Sequence, residues 1–401
     1  MKRFLVGVLL LVLVAGLVAT QAQQRQAINI GVIMELSGRL AFLGTDERDG
    51  ILAARSLLPT VLGLPVTLSI CDNQSTREGA AACADRFVSE QVVAVLGSCC
   101  SSNTFAAIPR LSQAGILLIT PSATNPGITG DPWAFRTSFQ DNDQGSAAAS
   151  FVYEQGIRRI VVFIQQDDDY SVGLARAMMA RFRQLGGSVT SEQRYTAGTS
   201  DFTAQLAAVR GQNPEAFYVP GFAAEVGPFL RQLRGQGFNQ PVFGGDGLDD
   251  PSLAEIAGDA LIGVRLTSFP TPELLPNTIQ ARDFRNYLVQ QVGRANLIGY
   301  IYTGADAYNV LLHAIEQSAG RTGVARLRAL LAGNAAERRE ARTAIRDALA
   351  EVENFPGVSG PITYKGTDGT PVDRVIGIFE YVRLEGGRIG LKVLRGVSTG
   401  G

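Results

Sequence analysis

The sequence is poor in the residues and motifs of common enzymes. It has one histidine, His313, which falls in an apolar helical stretch where a packed residue is commoner than a catalyst. No Gly-x-Ser-x-Gly elbow lies between a predicted strand and a predicted helix, and no Gly-x-Gly-x-x-Gly or phosphate-binding loop follows the first strand. We therefore expect a protein that is not an enzyme and carries no cofactor.

An excess of charge of either sign is also missing. The chain has 36 basic and 37 acidic residues, a formal net charge of −1, and no basic stripe with interleaved aromatic residues. This argues against a nucleic-acid partner. The 46% hydrophobic content and the 401 residues predict a large core divided between two lobes.

Long apolar runs are absent except at the start of the chain. Met-Lys-Arg precedes the apolar run Phe4–Val18, and small residues follow at Thr20–Ala22. This pattern predicts a signal peptide over residues 1–22, cleaved near Ala22, and export to the periplasm. A short membrane anchor is the alternative, although the run is shorter than the ~20 residues of a membrane span.

The four cysteines are Cys71, Cys83, Cys99 and Cys100. Export permits disulfides, and adjacent cysteines rarely bond to each other, so we expect Cys71 to meet the 99–100 pair at the end of the next strand. A zinc site is the alternative, but the spacing fits no common zinc pattern. We predict a structural disulfide and no metal.

Strands and helices alternate along most of the chain, which predicts an α/β fold with parallel sheets. Predicted strands are 28–34, 64–70, 92–96, 116–119, 159–164, 189–195, 216–219, 241–243 and 262–268, with a hairpin from 375. Predicted helices are 49–58, 77–90, 103–114, 145–155, 171–185, 201–210, 223–235, 278–292, 303–318, 323–332 and 338–352.

The alternation of strands and helices is interrupted three times, at 135–144, after Ser268 and at Phe355–Val358. We interpret these interruptions as three crossings between two Rossmann-like lobes with parallel central sheets, joined by a three-strand hinge. The first lobe would contain residues 27–142 and 270–353, and the second residues 143–269 and 354–401. A cleft between such lobes is the usual place for a ligand.

Hydroxyl residues follow two successive strands of the first lobe. Ser101 and Ser102 come after strand 92–96, and Ser122 and Thr124 come after strand 116–119. Because ligands bind at the carboxyl ends of parallel strands, these residues predict a site for a carboxylate or phosphate. The alternative is that they only cap helices and form turns.

Other candidate residues follow strands of the second lobe and are expected at the same cleft. Tyr170 follows strand 159–164, Phe222 follows strand 216–219, and Asp246 follows strand 241–243. A carboxylate at Asp246 can hold a ligand ammonium, while Tyr300, just before a helix, can close the pocket. Alternatively, Tyr170 packs on its own helix and Asp246 is an ordinary turn residue.

Several stretches resemble the periplasmic leucine/isoleucine/valine-binding proteins of ABC transporters, with the type I periplasmic binding fold. They are Cys100-Ser-Ser-Asn-Thr, 114–126, Phe135-Arg-Thr with Asp143-Gln-Gly, Tyr170 with Gly173-Leu-Ala, Asp201-Phe-Thr-Ala, Gly244-Gly-Asp-Gly-Leu and Ile256-Ala-Gly-Asp-Ala. The resemblance implies an amino-acid pocket.

In that pocket, by the resemblance, the hydroxyls of Ser101 and Thr124 bind the ligand carboxylate. Ser122 contributes through its backbone, with Ala123 in the same stretch, and Asp246 takes the ammonium. The remaining expected pocket residues are the aromatic residues Tyr170, Phe222 and Tyr300.

The chain also departs from this family. Leu43, beside Phe42, stands where relatives often carry an aromatic residue over the ligand side chain. Asp246 replaces a longer acid. Ser75 replaces a cysteine, so the resemblance implies that Cys100 pairs with Cys71 or Cys83.

The resemblance implies an exported, monomeric protein that binds an amino acid, branched-chain or otherwise apolar, and delivers it to an ABC permease. Binding of amides, urea or aromatic acids and service as a ligand-sensing subunit are alternatives on the same fold. An exported cysteine hydrolase, which requires free thiols at Cys99 or Cys100, is a third.

Overall fold

We analysed a computed structural model, which describes residues 27–275, 277–292 and 299–400. The predicted signal peptide, residues 1–22, lies outside these ranges. None of the helices within them combines the length and the apolar character that a membrane crossing requires.

The first sheet has six strands. They are β1 (Ile28–Met34), β2 (Thr60–Val61), β3 (Leu64–Asp72), β4 (Ala94–Gly97), β5 (Leu117–Thr120) and β6 (Ala134–Arg136). Their spatial order is β2-β3-β1-β4-β5-β6, and all pairs are parallel except β2 with β3. The inner strands are short and buried, as expected for a parallel sheet covered on both faces.

The second sheet has seven strands. They are β7 (Arg159–Gln165), β8 (Ser188–Tyr195), β9 (Ala216–Tyr218), β10 (Val242–Gly244), β11 (Arg265–Ser268), β14 (Val375–Arg383) and β15 (Ile389–Ser398). Their order is β15-β14-β11-β10-β9-β7-β8, with five parallel strands and an antiparallel hairpin at one edge. Strands β12 (Phe355–Gly357) and β13 (Gly360–Ile362) form a separate small hairpin. We call each large sheet with its helices a lobe.

Twelve α-helices surround the sheets within the described residues. They are α1 (Ala41–Leu57), α2 (Arg77–Glu90), α3 (Ser101–Gln113), α4 (Asp141–Glu154), α5 (Asp169–Gln184), α6 (Thr203–Val209), α7 (Ala223–Gly235), α8 (Ser252–Ala257), α9 (Ile279–Tyr287), α10 (Gly299–Thr322), α11 (Val324–Ala332) and α12 (Ala335–Ala350). These two βα lobes confirm the predicted fold class.

Several helices begin earlier than predicted, and for three of them the difference matters for the site. Helix α1 begins at Ala41 rather than 49, so Phe42 and Leu43 are helical and not in a loop; α4 begins at Asp141, and α10 includes Tyr300. The start of α1 was predicted too late because its glycines were interpreted as loop residues. A side chain at Gly44 would lie 2.4 Å from the carbonyl oxygen of Glu35, so glycine allows close packing there instead of a turn.

The chain passes between the lobes three times. The first passage lies between β6 and α4, and the second between β11 and α9. The third was predicted too early, because Val358, Ile362 and Tyr364 are buried in the core of the first lobe. This passage therefore lies between Tyr364 and β14; the full lobe boundaries remain a prediction.

The disulfide joins Cys71 to Cys83, which corrects the expectation that Cys71 or Cys83 would pair with Cys99 or Cys100. Cys71 lies near the end of β3, and Cys83 lies on the buried face of α2, the helix that follows that strand. The two Cα atoms are 5.8 Å apart, a usual separation for a disulfide. The bond therefore closes a short loop within one βα unit.

We expect removal of this disulfide to lower stability without changing the cleft. Replacing Cys71 and Cys83 together with alanine should reduce the free energy of unfolding by about 2–4 kcal/mol, because the unfolded chain regains the freedom of the closed loop. Urea unfolding of this variant and the natural chain measures the difference. An unchanged free energy of unfolding would contradict the prediction.

Candidate functional site

The two sheets present equivalent edges to each other. In each, the parallel strands run in the doubly wound order, with the order reversing between β1 and β4 in the first lobe and between β7 and β9 in the second. Ligands bind outside the carboxyl ends of strands at such reversals. Glu35 and Ser98 follow β1 and β4, while Gln166 and Val219 follow β7 and β9.

A narrow cavity lies where these edges meet, and its free volume is about 10 Å³. Residues of both lobes line it, namely Leu43, Cys99, Cys100, Ser101, Ser122, Thr124, Tyr170, Phe222, Asp246 and Tyr300. All of them are buried. The structure thus brings together every predicted site residue except Phe42, Ala123 and Ser102, which lines the groove at the mouth of the cleft instead. The free volume is about the space that one water molecule needs, so the lobes must open, or the lining must move, before a ligand of amino-acid size can enter.

The first lobe contributes hydroxyl groups that differ in the hydrogen bonds they can still make to a ligand. The Oγ atom of Ser101 accepts from the backbone N–H of Asn125 at 3.2 Å, which leaves its own proton for a ligand. Thr124 Oγ1 is buried with no partner in hydrogen-bonding geometry. By contrast, the Ser122 hydroxyl bonds to the Glu47 carboxylate and to the carbonyl of Cys99.

Arg136, which the sequence analysis did not select, holds the loop that carries Ser122 and Thr124. Its side chain is fully buried and donates to the carbonyls of Ala123 at 2.8 Å and Asn125 at 2.7 Å. Burial lowers the pKa of Arg136 to about 10, so the guanidinium stays cationic at neutral pH. The loop therefore has a fixed shape and a positive charge behind it.

The second lobe contributes one carboxylate to the cavity, that of Asp246. One oxygen accepts from Gln144 Nε2 at 2.7 Å and the other from the Tyr300 hydroxyl at 3.1 Å. Burial raises the pKa of Asp246, and these hydrogen bonds offset the increase in part. Gln144, also missed from the sequence, lies in the polar stretch interpreted as a crossing.

Aromatic rings form the wall around Asp246. The centroids of Tyr170 and Phe222 are 5.4 Å apart, and the Tyr170 hydroxyl accepts from the backbone N–H of Gly247 at 3.0 Å. Tyr300 packs edge-on against Phe269 at 4.8 Å. The alternative that Tyr170 only packs on its own helix is therefore wrong, because its ring also lines the cavity.

Phe42 and Ala123 lie beside the cavity and are not part of its lining. Neighbouring residues of a helix point about 100° apart, so when Leu43 faces the cavity, Phe42 turns away. The Ala123 N–H donates to Thr120 Oγ1 and its carbonyl accepts from Arg136, so its backbone is already used within the lobe.

Two further acids lie in the wall behind these groups. The Glu35 carboxylate accepts from Ser98 Oγ, from the Cys99 N–H at 3.1 Å and from Asn103 Nδ2 at 2.8 Å. Glu47 is fully buried, and desolvation raises its pKa well above its usual range. Glu47 was missed because α1 was predicted to begin after it, whereas Glu35 directly follows the predicted strand 28–34 and could have been found by the rule that selected Asp246.

Several contacts hold the two lobes together around the cavity. Ser102 Oγ donates to Asp168 at 2.9 Å, and Asn125 Nδ2 donates to the carbonyl of Asp169 at 2.8 Å. At the surface, Arg77 pairs with Asp169 at 2.7 Å. The structure is therefore a closed form, in which the exposed pair adds only about 0–1 kcal/mol.

The cysteine hydrolase alternative has no support in this geometry. Cys99 and Cys100 are free, but burial raises the pKa of Cys100 to about 12 and the pKa of Cys99 well above its usual range. His313 packs against Phe355, whose ring centroid is 5.1 Å away, and α10 and β12 hold both away from the cavity lining. The thiols thus lack the base that a nucleophile needs.

Comparison with known proteins agrees with this architecture. The sequence model of the family described as periplasmic binding protein matches residues 27–382. The leucine-specific-binding protein of Salmonella typhimurium is 30% identical over 263 residues, which cover 64% of this chain and 71% of that protein.

Two solved structures extend the similarity to almost the whole chain. A leucine-binding protein from Thermotoga maritima has a TM-score of 0.81 and 31% identity, covering 92% of this chain and 98% of that one. A branched-chain amino acid transporter substrate-binding protein from Streptococcus pneumoniae, in complex with isoleucine, has a TM-score of 0.77 and 26% identity, covering 93% and 99%. The predicted resemblance is confirmed: this chain belongs to the periplasmic binding protein family, a family of binding proteins and not of enzymes.

Proposed function

We propose that this protein is exported and binds an α-amino acid with an apolar side chain, most simply a branched-chain one, for delivery to an ABC permease. One observation carries the proposal: a closed cavity has hydroxyl donors from one lobe facing it and a single carboxylate from the other. An α-amino acid is a small molecule with a carboxylate and an ammonium on the same carbon, which matches this pairing of groups.

The carboxylate end of the ligand belongs on the first lobe. Ser101 has a proton to donate, and Thr124 has an unpaired hydroxyl. Helix α3 begins at Ser101 without a side-chain cap at Cys100, so its first N–H groups suit an anion. Charge-assisted hydrogen bonds of this kind contribute about 1.5–3 kcal/mol each.

The ammonium end belongs on Asp246. This carboxylate accepts from Gln144 and Tyr300, neutral groups that hold it in place but do not neutralise it. A buried charge without an opposite charge is costly, so a ligand cation is strongly favoured there. The aromatic rings of Tyr170 and Phe222 exclude water and strengthen the pairing.

The side chain of the ligand would meet Leu43 and the two cysteine thiols. These groups are apolar or weakly polar and line the cavity on the first lobe beside the hydroxyl residues. They offer no charged partner to a polar side chain, which favours an aliphatic one. The similar proteins known to bind leucine or isoleucine support this choice.

Binding would act through closure of the lobes. Ligand contacts with Ser101 and Asp246, on opposite lobes, exist together only when the cleft is closed, so the ligand stabilises that form by its differential affinity. The permease would then recognise the closed shape. We propose a monomer, with the signal peptide cleaved near Ala22; a sensing partner in place of a permease is the second candidate.

The proposal is tested by calorimetric titration of the chain after its bound ligand is removed by unfolding and refolding. Leucine, isoleucine and valine should bind with micromolar or lower Kd, equivalent to about 8 kcal/mol or more. Urea, short amides and benzoate serve as comparison ligands. Tight binding of a comparison ligand together with no response to any amino acid would contradict the proposal.

The affinity should depend on pH through Asp246. Its pKa is raised by burial, and only the ionised carboxylate attracts an ammonium. Lowering the pH should therefore weaken binding as Asp246 becomes protonated, at a higher pH than an ordinary aspartate would, and binding should release protons in that range. Calorimetry in buffers of different ionisation enthalpy measures both. A pH dependence that persists unchanged in Asp246→Asn would assign it to another acid, such as Glu47.

A further inference from the structure

Two thiols stand side by side in the cavity wall, and the binding of an amino acid gives neither a necessary role. The Sγ atoms of Cys99 and Cys100 are 2.9 Å apart. This separation is about 0.9 Å longer than a disulfide bond of ~2.05 Å. Both residues precede Ser101, the first residue of α3 and a predicted contact of the ligand carboxylate. A change at the thiols is therefore positioned to affect the ligand site.

The other cysteines leave this pair without any partner but each other. The chain has four cysteines, and Cys71 is bonded to Cys83. That disulfide also fits a protein that folds where thiols are oxidised. The two cleft thiols are nevertheless free in the closed form, with exposures of 4% and 6%. Burial thus keeps them reduced, and opening of the cleft would end that protection.

The two thiols differ in their access from outside. Cys100 lines the inner cavity and also the groove at the mouth of the cleft, together with Arg39, Ser75 and Asp168. Cys99 lines the inner cavity but not the groove. A reagent that enters through the mouth therefore meets Cys100 first, and Cys99 is placed to complete the reaction from behind.

We propose that Cys99 and Cys100 form a reversible vicinal disulfide when the cleft is open and empty, by exchange with a disulfide oxidant. The Cys100 thiolate attacks the oxidant, forms a mixed disulfide and releases one thiol of the oxidant. The Cys99 thiolate then attacks Cys100 Sγ, closes the ring and releases the second thiol. Two electrons pass to the oxidant, and the two protons lost by the cysteines end on its thiols.

A metal site is a weaker interpretation of the same residues. The two Sγ atoms and a carboxylate oxygen of Glu35 lie within 4.8 Å of one another. However, Glu35 already accepts from Ser98, Cys99 and Asn103, so its carboxylate is engaged in holding the loop. Two sulfurs on one tetrahedral zinc, with Zn–S bonds of ~2.3 Å, also stand farther apart than these do.

Ring closure should weaken ligand binding, a consequence that rests on the proposed function. The peptide between the cysteines is fixed on both sides: the Cys99 carbonyl accepts from Ser122 Oγ, and the Cys100 carbonyl accepts from the Thr104 N–H at 3.0 Å. An additional bond between the side chains must rotate this peptide and move Ser101. The loss of one well-aligned buried hydrogen bond corresponds to a roughly tenfold weaker Kd.

The test uses the mature chain freed of ligand in acidic denaturant, where thiol exchange is slow, and then refolded and treated with oxidised glutathione. Mass spectrometry should show the loss of two hydrogens and no bound glutathione. Digestion with trypsin shows which cysteines are bonded. Cys99 and Cys100 share the peptide 87–110, whereas Cys71 and Cys83 lie in peptides 56–77 and 78–86. Leucine added beforehand should slow the reaction.

Matched variants complete the test. Cys99→Ser should retain glutathione on Cys100, because no second thiol resolves the mixed disulfide, and the double serine variant should not react. Stable glutathione on the natural chain, or two thiols still free after treatment without ligand, would overturn the proposed disulfide. Ring formation with unchanged leucine affinity would overturn only the effect on binding, and an absence of leucine binding to the reduced chain would instead reject the proposed function.

Discussion

Replacing Asp246 with asparagine should weaken amino-acid binding about a hundredfold or more while leaving the fold intact. The substitution keeps the size of the side chain and one acceptor for Gln144, but it removes the negative charge opposite the ligand ammonium. Breaking a buried ion pair by removal of one partner costs about 3–5 kcal/mol, which corresponds to a roughly hundredfold or larger increase in Kd. Calorimetric titration with leucine measures the change.

Asp250→Asn is the matched control. Asp250 is also buried and lies four residues away, but it accepts from the Ser252 N–H before α8 and does not line the cavity. Asparagine serves that capping role equally well. We expect nearly natural affinity in this control. Equal affinities for Asp246→Asn and the natural chain would show that Asp246 does not bind the ligand.

Removing the two hydroxyls of the carboxylate site should have an effect of similar size. In the double variant Ser101→Ala, Thr124→Ala, the ligand carboxylate loses two buried donors, each contributing about 1.5–3 kcal/mol. We expect the Kd for leucine to rise at least about a hundredfold. The free energy of unfolding of this variant is measured as well, because the Thr124 hydroxyl also lowers the pKa of the buried Asp141 carboxyl group.

A matched control for this pair exists on the same lobe. Ser318 and Thr322 lie on α10 and do not line the cavity; the Thr322 hydroxyl donates to the Ser318 carbonyl. Replacing both with alanine removes the same atoms from the chain, and binding should remain close to that of the natural protein. If the double variant at Ser101 and Thr124 also bound leucine normally, the hydroxyls would be helix and turn residues only.

Strand positions and the residues that follow them could be predicted from the sequence. The predicted strands ended at 96, 119 and 243, one residue before the observed ends, and because parallel strands bring their carboxyl ends to one edge, Ser101, Thr124 and Asp246 were expected together. The structure places all three on the same cavity. Local sequence order was sufficient here because the geometry of a parallel sheet determines the rest.

Groups that depend on packing between distant segments could not be predicted in the same way. Arg136 and Gln144 act through contacts within their own lobes, to the loop after β5 and to Asp246, which depend on how the elements pack, and their stretch looked like an irregular crossing. The Cys71–Cys83 pairing was missed because α2 turns Cys83 back onto β3, a consequence of helix phase that spacing alone does not give. Gly44 was interpreted as a loop residue because its contact with Glu35 is invisible in the sequence.

The central claim is that the cleft recognises both charged ends of one α-amino acid, and one titration series tests it most directly. The reduced, ligand-free chain is titrated with leucine, with leucinamide, which lacks the carboxylate, and with 4-methylpentanoate, which lacks the ammonium. The account predicts tight binding of leucine and at least about a hundredfold weaker binding of the other two. Binding of 4-methylpentanoate as tight as that of leucine would contradict it, because Asp246 would then have no cation to hold.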